Sequence, residues 1–142
     1  MSPFKLLPLL ALPLLVACSD ERATFPIDGN TQHALTVIRQ QQTPWARKGD
    51  YVLVAMRMPD CMRRHKMETA GLETPIEVFA PGNNAWILRQ GRRMYVVETR
   101  SCEGFARLEG EPEGGFGRLV GTFRSVDGEF SFVPEEAPPA AK

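Results

Sequence analysis

The amino-acid sequence predicts a mainly β protein: a small antiparallel β-sandwich or open barrel of about six to seven strands, with one short helix and one disulfide. Two observations carry the strand prediction. Apolar residues between positions 33 and 133 recur with the period of a strand rather than a helix, as in PIEVFA at 75–80. The short β-branched and aromatic runs are separated by turn signals, above all Gln90-Gly91 and Asp127-Gly128.

The chain opens MSPFKLLPLLALPLLVACSD. Lys5 precedes an apolar run from Leu6 to Ala17 that is too short to cross a bilayer as a stable helix and is interrupted by Pro8 and Pro13. The run ends Leu15-Val16-Ala17-Cys18, which resembles a bacterial lipobox, and the chain as a whole resembles small proteobacterial lipoproteins. The resemblance implies a signal peptide over 1–17, diacylglycerol on the Cys18 thiol and a fatty acyl group such as palmitate on the new amino terminus. Several acyl chains, at about 0.8 kcal/mol per buried methylene, make a lasting membrane anchor. Location in the cell envelope of a Gram-negative bacterium follows, and Ser19 in place of aspartate favours the outer membrane, facing the periplasm.

Residues 18–32, polar and broken by Pro26 and Gly29, read as a lipidated tether to a β domain over 33–133. HALTVIRQ (33–40) is the first expected strand. DYVLVAMRM (50–58) is the second, with Val52, Val54, Met56 and Met58 on the face assigned to the core and Tyr51, Leu53 and Ala55 on the other. A helix is expected over 61–70, opened by Asp60 as a cap and closed by Gly71. The run 75–80 ends at the turn Pro81-Gly82-Asn83-Asn84, and 85–90 with 92–101 form a hairpin about Gln90-Gly91. An acidic, glycine-rich loop at 109–118 carries Phe116, expected to tuck back onto the sheet. Strands 117–126 and 129–133 form a second hairpin, and 134–142 is a proline- and alanine-rich disordered tail.

With Cys18 assigned to lipid, Cys61 and Cys102 remain. In an oxidising compartment such a pair is most simply a disulfide, and the absence of a C-x-x-C argues against redox work. The alternative is a pair of free thiols. It gains interest from MRMPDCMRRHKM (56–67), which holds four of the six methionines and one of the two histidines. Cys61, His65, Met58 and Met62 are soft ligands suited to copper. Against a copper site stand the disulfide and the three cations Arg63, Arg64 and Lys66; no resident metal or cofactor is expected.

The formal net charge is zero, so no global field draws nucleic acid. Locally, 57–100 holds eight Lys/Arg against five Asp/Glu, while 103–136 holds three against eight. Arg63, Arg64, His65 and Lys66 are therefore the candidate binding ledge, for an envelope protein or an anionic glycolipid. Neither histidine lies in a triad-like pattern, and no G-x-S-x-G, H-E-x-x-H or phosphate-binding glycine loop occurs. The expected role is a non-catalytic accessory or binding module on a lipid anchor, with copper binding at 56–67 as the alternative.

Overall fold

The computed structural model describes residues 19–136; the expected signal peptide 1–17, the expected anchor Cys18 and residues 137–142 of the expected tail lie outside them. Strand β1 (Ser19–Pro26) passes through a 3-10 turn (Ile27–Gly29) into β2 (His33–Gln41), which pairs with it from Ser19↔Gln41 to Pro26↔Ala34. β3 (Lys48–Arg57) follows, then β4 (Cys61–Lys66) and the two-residue β5 (Ala70–Gly71). These make the first sheet, in the order β1-β2-β3-β4, with β5 pairing the start of β3. β6 (Ile76–Gly82), β7 (Ala85–Gln90), β8 (Arg93–Glu98), β9 (Phe105–Leu108), β10 (Arg118–Val126) and β11 (Glu129–Pro134) make the second, in the order β11-β10-β6-β7-β8-β9. Every pairing is antiparallel, and the sheets do not close into a barrel.

One core lies between the sheets. Leu35, Val37, Tyr51, Leu53 and Ala55 of the first sheet meet Ile76, Val78, Leu88, Val97 and Phe123 of the second, all at 0% exposure. The Asp127-Gly128 turn is as its sequence demands: both residues have positive φ, 50° and 82°, as a two-residue hairpin requires. Gly121 serves a different need at the β10 bulge, where a Cβ would collide with the Phe132 ring and the Val133 carbonyl. Phe116 packs on Phe79, centroids 5.3 Å apart, so the acidic loop does tuck back.

Ties between the sheets are found at both ends of the described structure. Arg39 of β2, 6% exposed, donates from Nε to Glu21 (2.7 Å) and from a terminal nitrogen to the Leu72 carbonyl (2.6 Å) and Ser125 Oγ (3.0 Å). Its guanidinium lies 4.5 Å from the centre of the Phe130 ring. At the other end the Cys61–Cys102 disulfide joins β4 to the β8–β9 connection, with Cα atoms 5.8 Å apart.

Eleven strands are described where about six to seven were expected, the additional ones being β1, β4, β5 and β9; three further expectations are corrected. Residues 61–66 form strand β4, not a helix, and pair with β3 from Arg57↔Cys61 to Val52↔Lys66. A short helix is marginal on its own, and the open edge of β3 offers a hydrogen-bonded alternative. Residues 19–26, read as tether, are strand β1, in which Ala23 is buried and Phe25 packs against the core. Glu21, inward like them, hid the period because its charge is met by Arg39. Finally, the faces of β3 are reversed: Tyr51, Leu53 and Ala55 are buried, Val52, Val54 and Met56 half-buried on the outer side, and Met58 is 45% exposed.

Candidate partner-binding surface along β4

β4 is the edge strand of the first sheet, so its side chains alternate between two different settings. Cys61, Arg63 and His65 turn toward the second sheet. Cys61 is in the disulfide, Arg63 pairs with Glu103 at 3.0 Å, and His65 stacks on Phe105 with centroids 4.7 Å apart. The His65 Nε2 lies 2.7 Å from the Cys102 carbonyl, an arrangement in which the nitrogen carries the proton and donates. Phe105 stacks in turn on Tyr95, at 5.5 Å. This inner row is a structural seam.

Met62, Arg64 and Lys66 form the outer row. Register places Met62 beside Met56, Arg64 beside Val54 and Lys66 beside Val52; Val54 and Val52 continue to Thr36 and Ile38 on β2, and those to Thr24 and Arg22 on β1. Ile38 and Val54 floor a groove of about 270 Å³, with Met62, 57% exposed, on its wall and Arg22 and Arg64 at its rim. An adjoining hollow of about 310 Å³ is lined by Val52, Gln40 and Asp50, with Arg64 and Lys66 above. The arrangement is an apolar floor with basic walls, open to solvent on a rigid sheet.

The ledge read from sequence is thus split: Arg64 and Lys66 are presented outward, whereas Arg63 and His65 are engaged at the seam. The same alternation separates Met62 from His65, and Met67 is 2% exposed in the core. Among the described residues no group of three or more His, Cys, Asp or Glu is placed to hold a metal ion.

The seam is held by the 98–104 connection, where Cys102 has φ of 63°. Glu98 accepts from the backbone N–H groups of Arg100 (2.6 Å), Ser101 (2.8 Å) and Gly104 (3.0 Å), and from the Ser101 hydroxyl. Burial works against its charge, but the hydrogen bonds outweigh it and bring its pKa from 4.5 down to about 2. Tyr51 shows the opposite balance: burial raises its pKa although Arg39 pulls it down, and its hydroxyl donates to the Gly71 carbonyl at 2.8 Å.

Sequence reasoning passed over Arg39, and the available signal was a charge set directly after the apolar pair Val37-Ile38 in HALTVIRQ. It also passed over Trp45, 77% exposed in the β2–β3 loop. No family model matches the chain, and no characterised protein or solved structure matches it either.

Proposed function

We propose that this chain is a lipid-anchored envelope lipoprotein, held by Cys18 in the outer membrane and facing the periplasm, whose β domain acts as a non-catalytic accessory or binding module. The two sheets over a shared core are read as a β-sandwich, a rigid support suited to presenting a surface. The observation that carries the binding role is the groove beside β4, with its Ile38–Val54 floor, exposed Met62 and rim of Arg22 and Arg64. Exposed apolar area rimmed by charge is the usual mark of an interaction surface. The basic rim fits an acidic surface of an envelope protein or the phosphates of an anionic glycolipid.

The test is a photo-crosslinking amino acid placed at Met62 or, as a control, at Glu113 in the acidic loop, in intact cells. A discrete adduct from position 62 that is lost with Arg64→Glu and never forms from 113 is expected, and its mass distinguishes protein from glycolipid. Absence of any adduct at 62, or equal labelling from both positions, refutes the binding role of the groove.

A further inference from the structure

Resting on the lipid-anchor reading, we propose that the end of the domain bearing Ser19, Trp45, Lys48 and Arg92 docks on the bilayer that holds the acyl chains. Trp45 enters the interface, and an anionic lipid phosphate occupies the hollow beside Lys48 and Arg92. The starting point is the absence of slack. β1 begins at Ser19, one peptide bond after Cys18, so about 3.8 Å of chain separates the lipidated residue from a paired strand. Ser19 is fixed in that strand by register with Gln41 and by its hydroxyl, 3.3 Å from the Gln41 side-chain oxygen. The strand ends at this side of the sheet are therefore held at the membrane surface.

Trp45 lies on the loop that leaves Gln41, and is the most exposed large apolar side chain among the described residues. The loop is shaped rather than slack: Ala46 N–H donates to the Thr43 carbonyl at 3.1 Å, and the Gln41 amide donates to the Pro44 and Ala46 carbonyls at 3.1 and 3.3 Å. Presenting an indole to water is unfavourable, whereas at a membrane interface its apolar body and polar N–H are both accommodated.

Behind this loop a hollow of about 360 Å³ opens between β5 and the β7–β8 turn, lined by Lys48, Thr74, Gln90, Arg92 and Arg93 among others. Glu68 meets the charge of Arg93 at 3.0 Å, while Lys48 and Arg92 have no ion-pair partner among the described residues. Gln90 is 2% exposed, and both polar atoms of its amide are without a hydrogen-bond partner among the described residues, which native proteins seldom tolerate. Two cations without ion-pair partners suit a phosphate in charge, and the Gln90 amide, closed to solvent as it stands, gains a partner by turning into the hollow. This end is opposite the disulfide and the Met62 end of β4, so docking leaves the groove facing outward.

The experiment uses the lipidated full protein in phosphatidylglycerol–phosphatidylcholine vesicles with brominated acyl chains, which quench nearby tryptophans. Quenching is expected for wild type and Trp86→Phe and is lost in Trp45→Phe. Lys48→Ala and Arg92→Ala are each expected to lower the docked-to-undocked ratio about fivefold. Unquenched Trp45 in protein whose mass shows lipid on Cys18 overturns the docking and leaves the anchor standing. A mass without that lipid overturns the anchor and the docking with it. Equal quenching in pure phosphatidylcholine, or release by millimolar inorganic phosphate at constant ionic strength, overturns the lipid-phosphate assignment of the hollow.

Discussion

Arg39, paired with Glu21 inside the first sheet and reaching Ser125 of the second, gives the sharpest test of how this fold accommodates a buried charge. Arg39 is 6% exposed, and its donors reach Glu21, Leu72 and Ser125, so one side chain bridges β1, β2, the β5–β6 connection and β10. Glu21→Leu leaves a guanidinium inside the protein with no counter-charge. Breaking a fully buried pair costs about 3–5 kcal/mol; because the Glu21 side chain is 36% exposed, water screens part of this, and about 2–3 kcal/mol is expected. Arg39→Met keeps an apolar stem beside Phe130 but strands the Leu72 carbonyl and Ser125 hydroxyl, a cost of about 1–3 kcal/mol. The double variant contains no stranded charge. Its loss should therefore fall short of the summed single losses by at least about 1 kcal/mol. Urea unfolding at neutral pH, followed by tryptophan fluorescence with the disulfide intact, supplies all four corners of the cycle. Additive losses would refute the reasoning, since they would mean that neither partner feels the other.

Other consequences are simpler to state. Cys61→Ser/Cys102→Ser opens a loop of 41 positions and should cost about 4 kcal/mol in urea unfolding, with reductant then having no further effect. Because the pKa of Glu98 is lowered from 4.5 to about 2, its stabilisation is complete above about pH 4.5 and disappears as pH falls toward 2. The residue is half-buried, so solvent still discounts the effect to about 1 kcal/mol; Glu98→Gln should flatten acid unfolding curves in that window. Leu53→Ala should cost about 2–5 kcal/mol and Val54→Ala under about 1 kcal/mol, and the reverse order in thermal or urea unfolding would contradict the assignment of the core face.

The hairpins were legible because Asp127-Gly128 and Gly91 take positive φ and impose turns locally, whatever the rest of the chain does. β4 was not, because CMRRHK has no apolar alternation of its own; what makes it a strand is the open edge of β3, a partner no local window contains. The inverted face of β3 has the same origin. Tyr51, Leu53 and Ala55 alternate with Val52, Val54 and Met56, so both faces are apolar and the pattern cannot choose between them. The choice is made by neighbours: Leu53 pairs with His65 and Val37 on the side where the second sheet packs. At the site, sequence placed four basic positions together, but the two-residue period of a strand divides them into a seam and a surface.

A strand in place of the expected tether changes what the proposed anchor would imply for function. A flexible segment of 18–32 would let the domain sample a wide volume and any orientation above the membrane. Strand β1, which begins one residue after the proposed anchor position, instead belongs to the sheet whose outer face carries the groove. Met62 lies in the register row of Ala34 and Pro26, at the far end of β1 from Ser19. Eight residues at about 3.3 Å each put that row roughly 25 Å along the strand from the anchor. On the proposed anchor the groove would run from Arg22, three residues along β1 from Ser19, up to the Met62 row, and its basic rim would act on an anionic group that reaches that span of heights. An extended partner standing on the same membrane meets that condition, as does a glycolipid presented by an apposed surface.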